Sequence, residues 1–191
     1  MTVGSPSKII WNFTVPIFIG NIFQQFYSMV DTVIVGKFVG TKALAAVGST
    51  GTINFLILGF LMGMTAGFTV LTSQRFGMRK TVGSAAILSA AVSILMTVVS
   101  MAFMKPLMIL MHTPEDIFDD AYAYIMIICA GIVAQVLYNI LAGILRALGN
   151  SKTPLYFLIF SALLNIVLDL VFIIVFHLGA PGAAYATVIS Q

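Results

Sequence analysis

Long apolar segments alternate with short polar ones along the whole chain, and this pattern predicts membrane-spanning helices. Four runs carry no charge at all: residues 9–30, 43–74, 81–104 and 121–145. A fifth run, 153–176, contains Asp169 as its only charge. Each reaches the roughly 20 residues that a helix needs to cross a bilayer. We therefore predict helices over approximately residues 9–36, 43–74, 81–105, 120–146 and 154–177, with a sixth over 181–191.

The loops between these helices are short and turn-like, so consecutive helices are expected to be antiparallel neighbours in one bundle. The last apolar run covers only the 14 uncharged residues from Leu178 to Gln191, too few to cross a bilayer unaided. The predicted fold is an all-α, polytopic bundle in which residues 1–191 form one lobe. It has five complete helices and a truncated sixth.

Composition supports a membrane protein and excludes several other classes. Of the 191 residues, 60% are hydrophobic and 8% are charged, which no soluble domain of this size could bury. Cys129 is the only cysteine, so neither an internal disulfide nor a cysteine metal cluster is expected. The basic residues behind the net charge of +3 are spread over several loops, so nucleic-acid binding is not expected.

The basic residues also predict the orientation of the bundle. If the N-terminus is cytoplasmic, six basic residues lie on the inner side and three on the outer side, as the positive-inside rule prefers. The inner ones are Lys8, Arg75, Arg79, Lys80, Arg146 and Lys152, and the outer ones are Lys37, Lys42 and Lys105. We expect a multi-pass protein of the plasma or inner membrane with its N-terminus inside.

Polar side chains recur within three of the helices at spacings of three and four residues, which places them on one face. The positions are Asn21, Gln24, Ser28 and Asp31 in the first helix, Gly131, Gln135 and Asn139 in the fourth, and Ser161, Asn165 and Asp169 in the fifth. Pro16 removes a backbone hydrogen bond from the first helix and is expected to bend it.

Four of the polar groups are predicted to lie at a similar depth below the outer surface. At 1.5 Å per residue, Asp31 is about 9 Å inside Lys37, and Asp169 is about 12 Å inside His177. Thr187 is about 9 Å deep on the sixth helix, and Tyr124 about 6 Å deep on the fourth. Convergence of four helices at one level is what a binding cavity requires.

The two membrane aspartates are the strongest functional signal. A carboxylate facing lipid costs about 2.5–3.5 kcal/mol near the bilayer centre, so Asp31 and Asp169 should face the bundle interior or water. If they share a pocket, ionisation of one opposes ionisation of the other, and one acid is expected to act as a proton carrier. In the alternative interpretation, each aspartate only hydrogen-bonds a neighbouring helix.

Several segments together resemble a known transporter family. The segments are "GNIFQQFYSMVDTVIVGKFVGTKALAAVG", "SQRFGMRK", "NILAGILRALGNSKTPL", "LLNIVLDLVF" and "GAPGAAYATVISQ". In this order they resemble the N-terminal half of multidrug and toxic compound extrusion (MATE) transporters. The resemblance implies one lobe of a twelve-helix fold, whose two six-helix lobes enclose a cleft. It also implies export of organic, often cationic compounds in exchange for protons or sodium ions.

Carried over residue by residue, the resemblance implies a cation site and a substrate cleft. Asp31, Asn165, Asp169 and Thr187 match the cation site, and Tyr124 joins them through its estimated depth. Asn139 lies lower, where it is expected to touch substrate together with Gln24 and Gln135.

The length departs from the family, which needs both lobes. We expect either a fragment of a longer gene product or an assembly of two copies, because the lobes are related by an axis along the membrane normal. The incomplete sixth helix favours the fragment.

Other functions remain open at this level. They are a flippase for lipid-linked oligosaccharides from the same superfamily, a non-transporting membrane fragment, and an aspartyl protease, although "NIVLDL" lacks the protease "GxGD" motif. No Walker, dinucleotide or metal motif occurs, so we expect no enzyme activity, no catalytic residues, no resident metal and no cofactor beyond the coupling ion. Lipid, an organic substrate and a second lobe are the expected partners.

Overall fold

The computed structural model describes residues 6–74 and 79–191, and every secondary-structure element in these ranges is helical. The elements are α1 (Pro6–Ile34), a π-helical turn (Val35–Val39), α2 (Thr41–Gln74), α3 (Arg79–Leu110), α4 (Glu115–Ala130), α5 (Ile132–Ala147), α6 (Lys152–Leu170), a second π-helical turn (Val171–Val175) and α7 (Gly179–Ser190). We call the end of the bundle that holds both π-helical turns the outer end, following the predicted orientation. The opposite end is the inner end.

The helix predicted over 120–146 is in fact two helices, α4 and α5, with a bend of 42° between them. Gly131 separates them, and a Cβ atom at this position would lie 2.4 Å from Val188 Cγ2 of α7. The close approach of α7 therefore requires glycine at the bend. α4 also begins five residues earlier than predicted, because Glu115 and Asp116 favour a helix N-terminus.

Two further elements differ from the predicted bounds. α1 starts at Pro6, since proline is favoured in the first turn of a helix, where its missing N–H costs nothing. α3 passes through Pro106 and ends at Leu110, five residues beyond the predicted end. Pro16 is buried within the continuous helix α1, and its bending role stays a prediction.

The helices pack around two apolar clusters. α2, α3, α4 and α5 share one cluster, which includes Ile53, Met108 and Ile125. The second cluster lies at the outer end, where α1 packs on α6 and α4 packs on α7, and it includes Val35 and Ile173 from the two π-helical turns. This outer packing holds the ends of α1 and α6 side by side.

The surface is apolar and the interior contains the polar groups, as expected for a protein in lipid. Large side chains such as Phe55, Ile87 and Phe160 are more than half exposed, whereas Asp169 and Asn165 are fully buried. Three segments in the described ranges are long and apolar enough to cross a membrane, and the bent pair α4–α5 makes a fourth. They are Thr41–Met64, Ala90–Leu110 and Lys152–Val175. The polar residues of α1 lower its hydropathy below theirs.

Part of the orientation argument falls outside the described residues. Arg75 and the side chains of Lys8, Arg79 and Lys80 are not among them. The cytoplasmic position of the N-terminus stays a prediction.

Candidate cation and substrate site

The two membrane aspartates meet inside the bundle. Asp31 lies near the end of α1 and Asp169 near the end of α6, and both are buried. Their carboxyl groups lie next to each other, close enough for the charge of one to act on the other. Two ionised carboxylates repel each other and can only accept hydrogen bonds, so a proton or another cation between them would stabilise the pair. Packing of α1 against α6 thus brings two buried acidic side chains together.

The polar atoms around this pair lack partners within the described residues. Asp31 Oδ1, both carboxyl oxygens of Asp169 and both side-chain polar atoms of Asn165 are buried without a hydrogen bond. Buried polar groups in native proteins are nearly always paired, and unpaired ones mark strain, function or a bound ion or water. The cluster therefore has the donor set of a cation site, made of carboxylate and amide oxygens.

A chamber of about 280 Å³ opens beside Asp31. Tyr124 of α4 and Thr187 of α7 line it together with Asp31, so the structure brings together three of the four groups placed at one depth. Asp169, the fourth, does not border the chamber but lies next to Asp31. Three of the four residues grouped by depth therefore border one chamber.

Asn165 lies one turn inward of Asp169 and borders a smaller cavity of about 30 Å³. Gln24, Tyr27 and Gln135 line this cavity as well as the larger chamber. A cation held by the acids would therefore be within one helical turn of amide and hydroxyl oxygens.

The residues predicted for the substrate cleft are split between levels. Asn139 borders a third cavity, of about 70 Å³, near the inner end, and its Nδ2 donates to the Gln135 backbone carbonyl at 2.8 Å. Gln24 and Gln135 line all three cavities, and Gln191 Nε2 donates to Gln135 Oε1 at 3.0 Å. These two glutamines therefore connect the acid pair with the inner cavity.

Residues of α2 also reach the chamber, and sequence reasoning missed them. Thr50 and Asn54 line the chamber from α2, and Thr50 is almost fully buried. Their four-residue spacing within "GSTGTIN" was the available signal. Tyr27 was missed too, although it stands three residues after Gln24 and four before Asp31, on the predicted polar face.

Several hydroxyl groups in the chamber donate to their own helix. Ser28 donates to the Gln24 carbonyl at 3.1 Å, Thr32 to Ser28 at 2.8 Å, and Thr50 to Val47 at 2.8 Å. The donors are therefore satisfied locally, while the oxygen lone pairs stay free to accept from a ligand or to contact a cation.

The MatE family model matches residues 16–171, which include every helix that lines the chamber except α7. The chain belongs to the MatE family. The resemblance found in the sequence is thereby confirmed, as are the all-α bundle and its place as one lobe of this fold. A transporter family also supports the prediction that the protein is not an enzyme.

The relatives and solved structures in the family are longer than this chain. The probable multidrug resistance protein YpnP of Bacillus subtilis is 36% identical over 197 residues, which cover all of this chain and 44% of YpnP. A multidrug resistance MATE family transporter solved in an outward-facing conformation superposes with a TM-score of 0.90 at 29% identity, covering 98% of this chain and 43% of that one. A multidrug resistance MATE family transporter solved in an inward-facing conformation superposes with a TM-score of 0.75 at 29% identity, over 87% of this chain and 39% of that one.

Proposed function

We propose that this chain is the N-terminal lobe of a cation-coupled antiporter that exports organic, often cationic compounds across the cytoplasmic membrane. The observation that carries the proposal is the proximity of the buried carboxyl groups of Asp31 and Asp169 beside a chamber of about 280 Å³. Asn165, Thr187 and Tyr124 complete the cation site, and the coupling ion is a proton or Na⁺. Gln24, Gln135 and Asn139 extend toward the substrate path.

Coupling follows from competition at the acid pair. Without a bound cation the two negative charges attract a cationic substrate, and a proton or Na⁺ between them removes that attraction. An ion drives transport only by binding two conformations unequally, and the acid pair supplies this inequality if its separation differs between the outward and inward states. The higher similarity to an outward-facing structure supports ion entry from outside in the present conformation.

A second six-helix lobe is part of this proposal. The chain spans less than half the length of the relatives it matches. We propose that the chamber faces either a C-terminal lobe of the same gene product or a second copy of this chain. Surrounding lipid and the organic substrate are its other partners, and the N-terminus is cytoplasmic.

The oligosaccharide flippase is the less favoured alternative. Arginine side chains suited to a lipid-linked phosphate are expected along a flippase cleft, and Arg146 is the only one that borders the three cavities described above. The multidrug resistance names of the relatives favour export of organic compounds instead.

The test is drug efflux by a sensitive host that expresses the protein with its second lobe, comparing Asp31→Asn and Asp169→Asn with the unsubstituted protein. Both variants should lose efflux at unchanged membrane abundance, because each removes one of the two charges. Asp119→Asn is the matched control, since Asp119 is an exposed acid at the same end of the bundle. Normal efflux by both membrane-aspartate variants would refute the coupling role.

The same variants identify the ion. Everted membrane vesicles would be given either a Na⁺ gradient or a pH gradient, and substrate transport would be followed in each. If one gradient drives transport by the unsubstituted protein but not by Asp169→Asn, its ion is the one that couples through the acid pair. Transport by the unsubstituted protein without either gradient would argue against antiport.

A further inference from the structure

The inner cavity of about 70 Å³ has a charge character opposite to that of the chamber. Arg146 is the only charged residue in its lining, and it is partly buried in the last turn of α5. The acid pair does not border this cavity. The sequence motif "NILAGILR" places Asn139 and Arg146 seven residues apart, so both point from one face of α5 into the same space.

No acidic residue of this chain can neutralise Arg146. The chain has six acidic residues, and all of them lie toward the outer end of the bundle. They are Asp31, Glu115, Asp116, Asp119, Asp120 and Asp169. Asp169 is 17 residues beyond Lys152 along α6, which corresponds to about 25 Å. An anionic partner of Arg146 would therefore come from outside this chain.

The groups around Arg146 favour an anion. Ser151 is 6% exposed and borders the cavity, and its hydroxyl makes no capping hydrogen bond at the start of α6. Asn21 contributes a side-chain amide from α1. Guanidinium, hydroxyl and amide donors together match a phosphate or carboxylate group, which arginine binds through paired hydrogen bonds.

We propose that this inner cavity binds a small oxyanion, a phosphate or carboxylate group, between Arg146 and Ser151. Its volume admits a group of a few heavy atoms and is far below the roughly 300 Å³ at which pockets begin to take drug-sized ligands. The phosphate group belongs either to a free solute of the cytoplasm or to the headgroup of an anionic lipid. The site is separate from the proposed antiport chemistry, which takes place at the acid pair.

The experiment measures the melting temperature of the purified chain. Potassium phosphate is titrated against potassium chloride at matched ionic strength in detergent, and in a second arm nanodiscs of phosphatidylcholine are compared with nanodiscs that contain phosphatidylglycerol. Stabilisation of several degrees by phosphate identifies a solute site, and stabilisation only by phosphatidylglycerol identifies a headgroup site. No stabilisation in either arm overturns the proposal.

Substitutions locate the effect. Arg146→Gln should abolish the stabilisation, and Ser151→Ala should weaken the apparent affinity about threefold. Lys152→Gln should leave the stabilisation and the apparent affinity unchanged. Lys152 is an exposed cation next to Ser151, and it does not border the cavity. Equal stabilisation in Arg146→Gln would overturn the site. If that variant does not fold, Ser151→Ala decides, since unchanged affinity there would equally contradict it.

Discussion

The two ends of the bundle hold polar cavities of opposite character. The outer chamber is bordered by the buried acid Asp31, and the buried acid Asp169 lies next to it. The inner cavity has one partly buried guanidinium and no acid in its lining. Both are lined by α1 and α5, and Gln24 and Gln135 border both. The same helices thus serve opposite charges, because the acids of this chain lie toward one end only.

The largest expected effect tests whether the acids act as one unit. Asp31→Asn and Asp169→Asn should each reduce cation-driven transport on the order of 100-fold, the upper range of a coupling between two ligands. The double variant should be no worse than either single variant, because each substitution already removes the shared cation. Transport rates of the two single variants, the double variant and the unsubstituted protein form a double-mutant cycle. If the losses of the single variants add up in the double variant, the two acids act separately.

The acid variants should leave the inner cavity untouched. Stabilisation by phosphate or by phosphatidylglycerol is expected to persist in Asp31→Asn, since the carboxyl group lies in a different cavity from Arg146. If Asp31→Asn lost the stabilisation by phosphate or phosphatidylglycerol as well as cation-driven transport, the two ends would form a single site.

The next effect concerns the bend that joins the two regions. Gly131→Ala should destabilise the protein by about 1–3 kcal/mol, because the added Cβ would clash with Val188. The melting temperature should fall by roughly 2–4 °C for each kcal/mol of lost stability. Val188→Ala in the same chain should restore most of it. Gly63→Ala is the control, since a Cβ at Gly63 meets open space, and an equal loss there would contradict the explanation.

A smaller effect is expected where the chamber meets the inner cavity. Gln135→Leu removes the acceptor of the hydrogen bond from Gln191, which is worth about 1 kcal/mol. Transport should fall about fivefold, the factor that corresponds to this energy. Gln25→Leu is the matched control, because Gln25 is exposed and borders none of the three cavities. Equal losses of transport in Gln135→Leu and Gln25→Leu would show that Gln135 has no specific role in the proposed substrate path.

The smallest effect tests the contact between α6 and α7. Ser161 Oγ donates to the Ser190 carbonyl at 2.6 Å, and Ser161→Ala should lower the free energy of unfolding by about 1 kcal/mol. Ser28→Ala should change stability by less than about 0.5 kcal/mol, because Ser28 is exposed and donates within its own helix. Thermal unfolding of both variants measures the difference.

Much of the site was predictable because helical spacing is short-range information. Residues three and four apart share a face, so Asp31 with Gln24, and Asp169 with Asn165, could be grouped from the sequence alone. A fixed rise per residue then placed Tyr124 and Thr187 at the level of the acids. The need for glycine at residue 131 was not predictable this way, since it comes from a side chain of α7 that lies 57 positions further along the chain.

The sequence by itself determined that this chain enters a membrane, that its helices carry polar faces, and that its acids lie toward one end. These properties follow from composition, helical periodicity and charge position, all of which are local. Only the tertiary structure decided that Asp31 and Asp169 lie next to each other, that α2 contributes Thr50, and that Arg146 borders a cavity without an acid. Such contacts depend on which helices pack together and at what angle, and packing is set by side-chain shape across distant segments.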